Sequence, residues 1–206
     1  MPAENNIRTE INKMANLALA MWQATFQAFM EHDLDILSRV LDDEHTLNDL
    51  EKAIASQLAA LGPTISSEAE KSNALLFADI VGDLELIGDY CKDTLERVQI
   101  KIEEKLLFSE DAVKEYTELY RITESGLRDI VTALEKDDFS LLQGVMKDKG
   151  HIDTLVEEYR ARHNQRLLDG VCSPIACNMF LNMLDFAAAV YYHAKKIARD
   201  LLKIKQ

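Results

Sequence analysis

Apolar residues recur along this chain at steps of three and four, with some longer gaps, the spacing that lines one face of a helix. After Asp33 they fall at Leu34, Leu37, Leu41, Leu47, Leu50 and Ile54; after Ser67 they fall at Phe77, Ile80, Leu84, Ile87, Cys91 and Leu95. Punctuating residues cut the pattern into six helices. The first runs from about Ile7 to Glu31, and the second is capped by Asp33 and stops before Gly62-Pro63. Ser67, with Glu70 three positions on, reads as a capping box for a third helix reaching about Lys105. Ser109 caps a fourth to about Lys136, and Asp137 or Asp138 caps a fifth to about Leu168. Gly170 stops the fifth, and Ser173-Pro174 opens the sixth with proline in its first turn. Long helices joined by turns of a few residues pack antiparallel as bundles, so the expected fold class is all-α.

The helices repeat. A shift of 105 residues aligns Ala28 with Ala133, Asp33 with Asp138, Leu37 with Leu142, Val40 with Val145, Asp43 with Asp148 and Leu50 with Leu155. The matching order of helix lengths and turns points to two tandem three-helix bundles, residues 1–105 and 106–206, expected to lie end to end.

Composition narrows the function classes. Only 7 glycines and 3 prolines interrupt 206 residues, which favours helix throughout. The net charge of −13 argues against nucleic acid and anionic lipid as partners. Three cysteines, Cys91, Cys172 and Cys177, show no zinc spacing and read as free thiols of a reducing cytosol. No basic start followed by an apolar block marks a signal peptide. The most apolar stretch, Ala15 to Met30, carries Asn16, Gln23, Thr25 and Gln27 and is too polar and short to span a bilayer. The expected location is cytoplasmic, with a cytosolic part of a longer membrane protein as an open arrangement.

The candidate chemistry is acidic. Asp83-Leu84-Glu85-Leu86-Ile87-Gly88-Asp89 puts Glu85 and Asp89 four residues apart on one helix face. At 100° per residue Glu85, Asp89, Asp93 and Glu96 share an arc of about 80°, opposite most of the apolar stripe. A solvated helix face is the ordinary reading of such a stripe. The alternative is a site for a hard cation such as Mg²⁺, Ca²⁺, Mn²⁺ or iron, which carboxylate oxygens suit. Glu44 and Asn48, also four apart, supply a facing half-site on the second helix. Gly88, near the apolar side, allows close approach of a neighbouring helix. Catalysis is not expected. No Glu-x-x-His pair of a di-metal bundle occurs, and no serine or cysteine sits in a nucleophile motif. His32, His45, His151, His163 and His193 read as polar surface or packing residues. No glycine-rich loop before a helix and no arginine cluster offers a phosphate cradle. Trp22, Phe26 and Phe29 read as core, with self-association through them as the alternative.

These residues, together with the repeat, resemble the PhoU family, whose hallmark is a Glu/Asp-x-x-x-Asp pair on long helices of two tandem three-helix bundles. Leu84-Glu85-Leu86-Ile87-Gly88-Asp89-Tyr90 keeps that motif's Leu, Glu, Ile, Gly and Asp, and has Leu86 and Tyr90 where the family has Arg and His. Gly170-Val171-Cys172-Ser173-Pro174-Ile175-Ala176 resembles the turn before the last helix in the cytosolic PhoU-like tail of bacterial sodium/phosphate cotransporters. In the second repeat Ala188 and Tyr192 replace the two acids, and Lys149 replaces Glu44 while Asp153 remains, so the expected metal ligands, Glu85, Asp89, Asp93, Glu44 and Asn48, belong to the first repeat only. What the resemblance implies is a regulatory, non-enzymatic domain of phosphate uptake at the inner face of the membrane. Its implied partner is a membrane phosphate transporter or its own transmembrane part. A free-standing regulator is the alternative, with self-association a further expected contact.

Overall fold

The computed structural model describes residues 2–65, 67–147 and 151–204. Among them every regular element is helical: α1 (Pro2–Glu31), α2 (Asp35–Leu61), α3 (Glu68–Glu103), α4 (Glu110–Lys136), α5 (Leu142–Lys147), α6 (His151–Leu168) and α7 (Pro174–Leu201). Short 3₁₀ turns, Gly62–Thr64 and Phe139–Leu141, follow α2 and precede α5.

The ends of these helices follow from local chemistry. Ser67 Oγ accepts from Glu70 N at 3.1 Å while the Glu70 carboxylate accepts from Ser67 N at 3.4 Å, the reciprocal box read from the sequence. Ser109 and Ser173 cap α4 and α7, each accepting a backbone N–H at 3.2 Å. Gly170 takes φ 71° and closes α6 with bonds from Gly170 N to Leu167 O and from Val171 N to Arg166 O. One expectation needs correction. Asp33 is not the N-cap of α2, since Leu34 occupies that place; Asp33 Oδ1 instead accepts from Asp35 N at 2.9 Å, stabilising the turn ahead of the helix. The predicted fifth helix opens with a 3₁₀ turn, Phe139–Leu141, which Asp138 caps by accepting from Ser140 N at 3.0 Å; its α-helical part is described as α5 and α6, on either side of residues 148–150. Residues 148–150, including Asp148 and Lys149, lie outside the described residues.

Repetition is visible in backbone geometry. The α1–α2 junction has His32 at φ 56° followed by the Asp33 turn; 105 positions later Asp137 at φ 49° is followed by the Asp138 turn. The two repeats do not lie end to end, however. They pack side by side, α3 against α7 and α1 against α4, which makes those four helices one shared core. The reason is apolar surface: α3 and α7 each bury residues on more than one face, α3 meeting α1, α2 and α7, and α7 meeting α3, α4, α5 and α6. The α2 helix covers one flank, and α5 with α6 the other. Tyr90 of α3 lies 6.0 Å from Phe186 and 5.8 Å from His193 of α7, ring centre to ring centre.

Trp22, Tyr116 and Phe180 are fully buried in this core. Phe26 stacks on Tyr120 at 3.8 Å and Phe29 meets Tyr116 edge-on at 4.9 Å, so the aromatics of α1 are core residues as expected. The most membrane-like helix is α7 rather than the Ala15–Met30 stretch. It is long and apolar enough to cross a bilayer, but half of that window is buried inside the bundle, where its apolar surface is already used.

Candidate functional site

The α2 and α3 helices approach closely because Gly88 has no side chain. A Cβ at Gly88 would fall 2.4 Å from Leu47 Cδ2 and 3.7 Å from Met21 Cε, so any larger residue would push α2 outward. This contact sets the width of a groove along whose edges the predicted acidic residues lie.

On α3, Glu85, Asp89 and Asp93 are half-buried. On α2, Glu44 is buried and Asn48 half-buried. Asn48 donates to Glu44 Oε1 at 3.1 Å, and Lys92 reaches the same oxygen at 3.4 Å. His45 Nδ1 lies 3.5 Å from the other Glu44 oxygen. Glu85 is harder to ionise than an ordinary carboxylate, chiefly through burial, then through the charges of Asp89, Glu51 and Glu44. Asp89 shifts the same way, through burial and then the charges of Glu44 and Asp93, with Lys92 opposing. The two helices therefore share one field of negative charge across their groove. Glu96, by contrast, is exposed and pairs with its neighbour Arg97 at 3.8 Å.

Sequence reasoning missed two participants. Glu51 continues the Glu44–Asn48 face by one more turn, a spacing visible in the sequence. Lys92 points across to Glu44, which only the packing of α2 on α3 reveals. The acids face one another, but no three of their carboxylates have donor oxygens within 4.8 Å of one another. Among the described residues the group that does meet that condition is His163, Cys172 and Cys177, at the turn between α6 and α7. These cysteines were read as free thiols without metal spacing and the histidine as a polar surface or packing residue; their convergence comes from the chain reversing at Gly170.

In the second repeat the matching groove has another character. Ala188 and Tyr192 stand where the first repeat has Glu85 and Asp89, beside Lys195, Lys196 and Arg199, with Asp153 at the edge. The acids are replaced by a rim of paired cations.

Residues 11–98, which span α1 to most of α3 and include all five predicted ligands, match the family described as PhoU domain. The first repeat of this chain is a PhoU domain. The whole chain also shares the PhoU fold. It is similar to PhoU from Pseudomonas aeruginosa at a TM-score of 0.91 and 15% identity, covering 98% of this chain and 97% of that one. It is similar to the phosphate transport system regulatory protein PhoU from Streptococcus pneumoniae at a TM-score of 0.85 and 15% identity, covering 97% and 93%. A PhoU-like phosphate regulatory protein from Shewanella oneidensis aligns at a TM-score of 0.57 and 11% identity over 98% and 96% of the two chains. No curated protein matches the chain in sequence. The all-α PhoU architecture expected from the motif and the repeat is thus the one observed.

Proposed function

We propose that this chain regulates phosphate uptake by docking on a membrane transport protein, without catalysing a reaction itself. The observation that carries this reading is the PhoU domain at residues 11–98, set in a fold that follows PhoU along nearly the whole chain. One end of the bundle supports a docking role. The α1–α2, α3–α4 and α6–α7 turns meet there, and Met30, Leu34, Leu107, Leu168, Val171 and Ile175 expose apolar surface around them. The net charge of −13 disfavours nucleic acid as the partner.

The finer reading is the cytosolic PhoU-like part of a sodium/phosphate cotransporter, supported by the Gly170-Val171-Cys172-Ser173-Pro174 turn. A free-standing regulator is favoured equally by the extent of overlap with PhoU from Pseudomonas aeruginosa. Both act at the cytoplasmic face of the membrane. Labelled phosphate uptake in cells deleted for residues 1–206 and in cells complemented with them tests the regulatory role. Uptake that no longer responds to external phosphate on deletion, and regains its response on complementation, is the expected result; an unchanged response removes the proposal. Transmembrane segments in the same reading frame favour the cotransporter arrangement.

The PhoU domain groove is further proposed to hold a hard cation through Glu85, Asp89, Asp93, Glu44 and Asn48. The charge field across the groove fits this use, because a divalent ion would offset both the burial and the repulsion that make Glu85 and Asp89 hard to ionise. Loading requires Glu44 to release Lys92. Elemental analysis after equilibration with Mg²⁺, Mn²⁺ or iron is expected to find more metal in the wild type than in a Glu85→Ala/Asp89→Ala variant. Equal content in both would return the groove to solvated surface.

A further inference from the structure

We propose a second metal site, independent of the acidic groove, in which His163, Cys172 and Cys177 bind a borderline ion of the Zn²⁺ class. The three residues come from three local settings. His163 projects from α6, Cys172 sits in the turn after Gly170, and Cys177 lies in the first turns of α7 just past the Ser173 cap. Their donor atoms lie within 4.8 Å of one another. His163 Nε2 is 3.9 Å from Cys172 Sγ. Tetrahedral zinc with ordinary Zn–N and Zn–S bonds needs a nitrogen–sulfur separation of about 3.6 Å, so a small inward movement completes the arrangement.

The surroundings hold the donors in place. The His163 ring stacks on Phe180 at 4.2 Å, which fixes its plane. His163 and Cys177 are buried, while Cys172 keeps some contact with solvent and provides the entry side. A Schellman turn on one side of Cys172 and a serine cap on the other restrain its backbone. Two thiolates and one imidazole favour zinc or a softer ion over the hard cations proposed for the groove. Three protein ligands leave a fourth position for water.

Loading changes a neighbouring contact. Without metal, Arg166 donates to His163 Nδ1 at 3.0 Å, which leaves the imidazole proton on Nε2. A metal on Nε2 displaces that proton, and neutral imidazole then carries its proton on Nδ1, facing the guanidinium. Arg166 must swing away, and Glu115 of α4 is ready to hold it, with bonds of 3.1 and 2.5 Å already formed. The two thiol protons go to solvent, and the doubly negative sulfur pair balances the divalent ion. The metal would therefore lock the α6–α7 turn while moving Arg166 wholly onto α4.

The test uses Co²⁺ as the probe on the full chain, reduced and freed of metal. A thiolate-to-cobalt charge-transfer band that saturates at one equivalent per chain is expected. A Cys172→Ser variant should lose the band and weaken zinc affinity about tenfold or more. A Glu85→Gln/Asp89→Asn variant should keep the band, which separates this site from the groove. In the unmutated protein Zn²⁺ should also slow the reaction of Cys172 with a thiol reagent, a readout that needs no variant to fold. Absence of a thiolate band in the reduced wild type, or zinc affinity unchanged by Cys172→Ser, overturns the proposal.

Discussion

His193 Nδ1 of α7 lies 2.8 Å from Asp83 Oδ1 of α3, joining the two repeats through a carboxylate that is almost wholly buried. Lys196 donates to the same oxygen at 2.6 Å, and that contact raises the lysine above its ordinary pKa. Tyr90 and Phe186 meet at the corresponding place across the interface, so the pseudo-symmetric contact is polar on one side and aromatic on the other. Replacing Asp83 by Ala leaves two cationic or polar partners facing a cavity between the repeats. The expected cost is about 3 kcal/mol, read from urea unfolding. A change below about 0.5 kcal/mol would mean that the pair contributes nothing to holding the repeats together.

Gly88 predicts a different kind of failure. Its Cβ position is 2.4 Å from Leu47 Cδ2, and Leu47 is fully buried, so the leucine has little room to retreat. Gly88→Ala should cost about 1–3 kcal/mol through overpacking, despite the better helix propensity of alanine. Combining it with Leu47→Ala should recover part of that loss, giving a coupling energy of about 1 kcal/mol in a double-mutant cycle. Additive losses would show that the two positions do not compete for space. The second repeat reverses the arrangement: Gly126 of α4 meets the ring of Tyr191 of α7, whose nearest carbon is 3.3 Å from the Cβ position.

Much of this was legible in the sequence because it depends on local spacing. The apolar period, the serine caps, Gly170 and the 105-residue shift each act within a few turns or through direct repetition, and the expected close approach at Gly88 is present. Contacts between distant segments were not legible. Asp83 carries no signal in the sequence that sets it apart from the other acids of α3; its contacts with His193 and Lys196 arise only from the packing of α7 on α3. His163 lies in a largely polar helix, and its neighbours Cys172 and Cys177 reach it only after the chain reverses. The side-by-side placement of the repeats was missed for the same reason. It depends on which apolar faces of α3 and α7 remain open after each bundle has formed, a property of the assembled helices.

Lys105 offers a stabilising substitution. It closes α3 at φ 54°, with bonds from Lys105 N to Ile102 O and from Leu106 N to Lys101 O, and its side chain is exposed. A left-handed residue with a Cβ carries strain of about 1–2 kcal/mol, which glycine avoids at some cost in unfolded-chain entropy. Lys105→Gly should raise stability by a net of about 0.5–1 kcal/mol. A raised urea midpoint with an unchanged slope is the expected result, and a lowered midpoint would mean that the lysine side chain contributes more than its backbone strain removes.

The buried imidazole makes stability depend on pH in the metal-free protein. Burial, and then the Arg166 charge, push His163 down to about 4 from an ordinary 6.5. Between those values the unfolded chain takes up a proton that the folded chain refuses. Stability is therefore complete above 6.5 and falls as the pH drops toward 4, by up to about 3 kcal/mol. Glu85 and Asp89 work in the opposite direction. Their raised pKa values let the folded chain bind protons more readily, so acidification through their range favours folding. His163→Gln should flatten the loss of stability between neutral pH and about pH 4.5, whereas Glu85→Gln/Asp89→Asn should steepen it. Urea unfolding at a series of pH values with a chelator present measures both. A slope that His163→Gln leaves unaltered would assign the acid sensitivity to other groups.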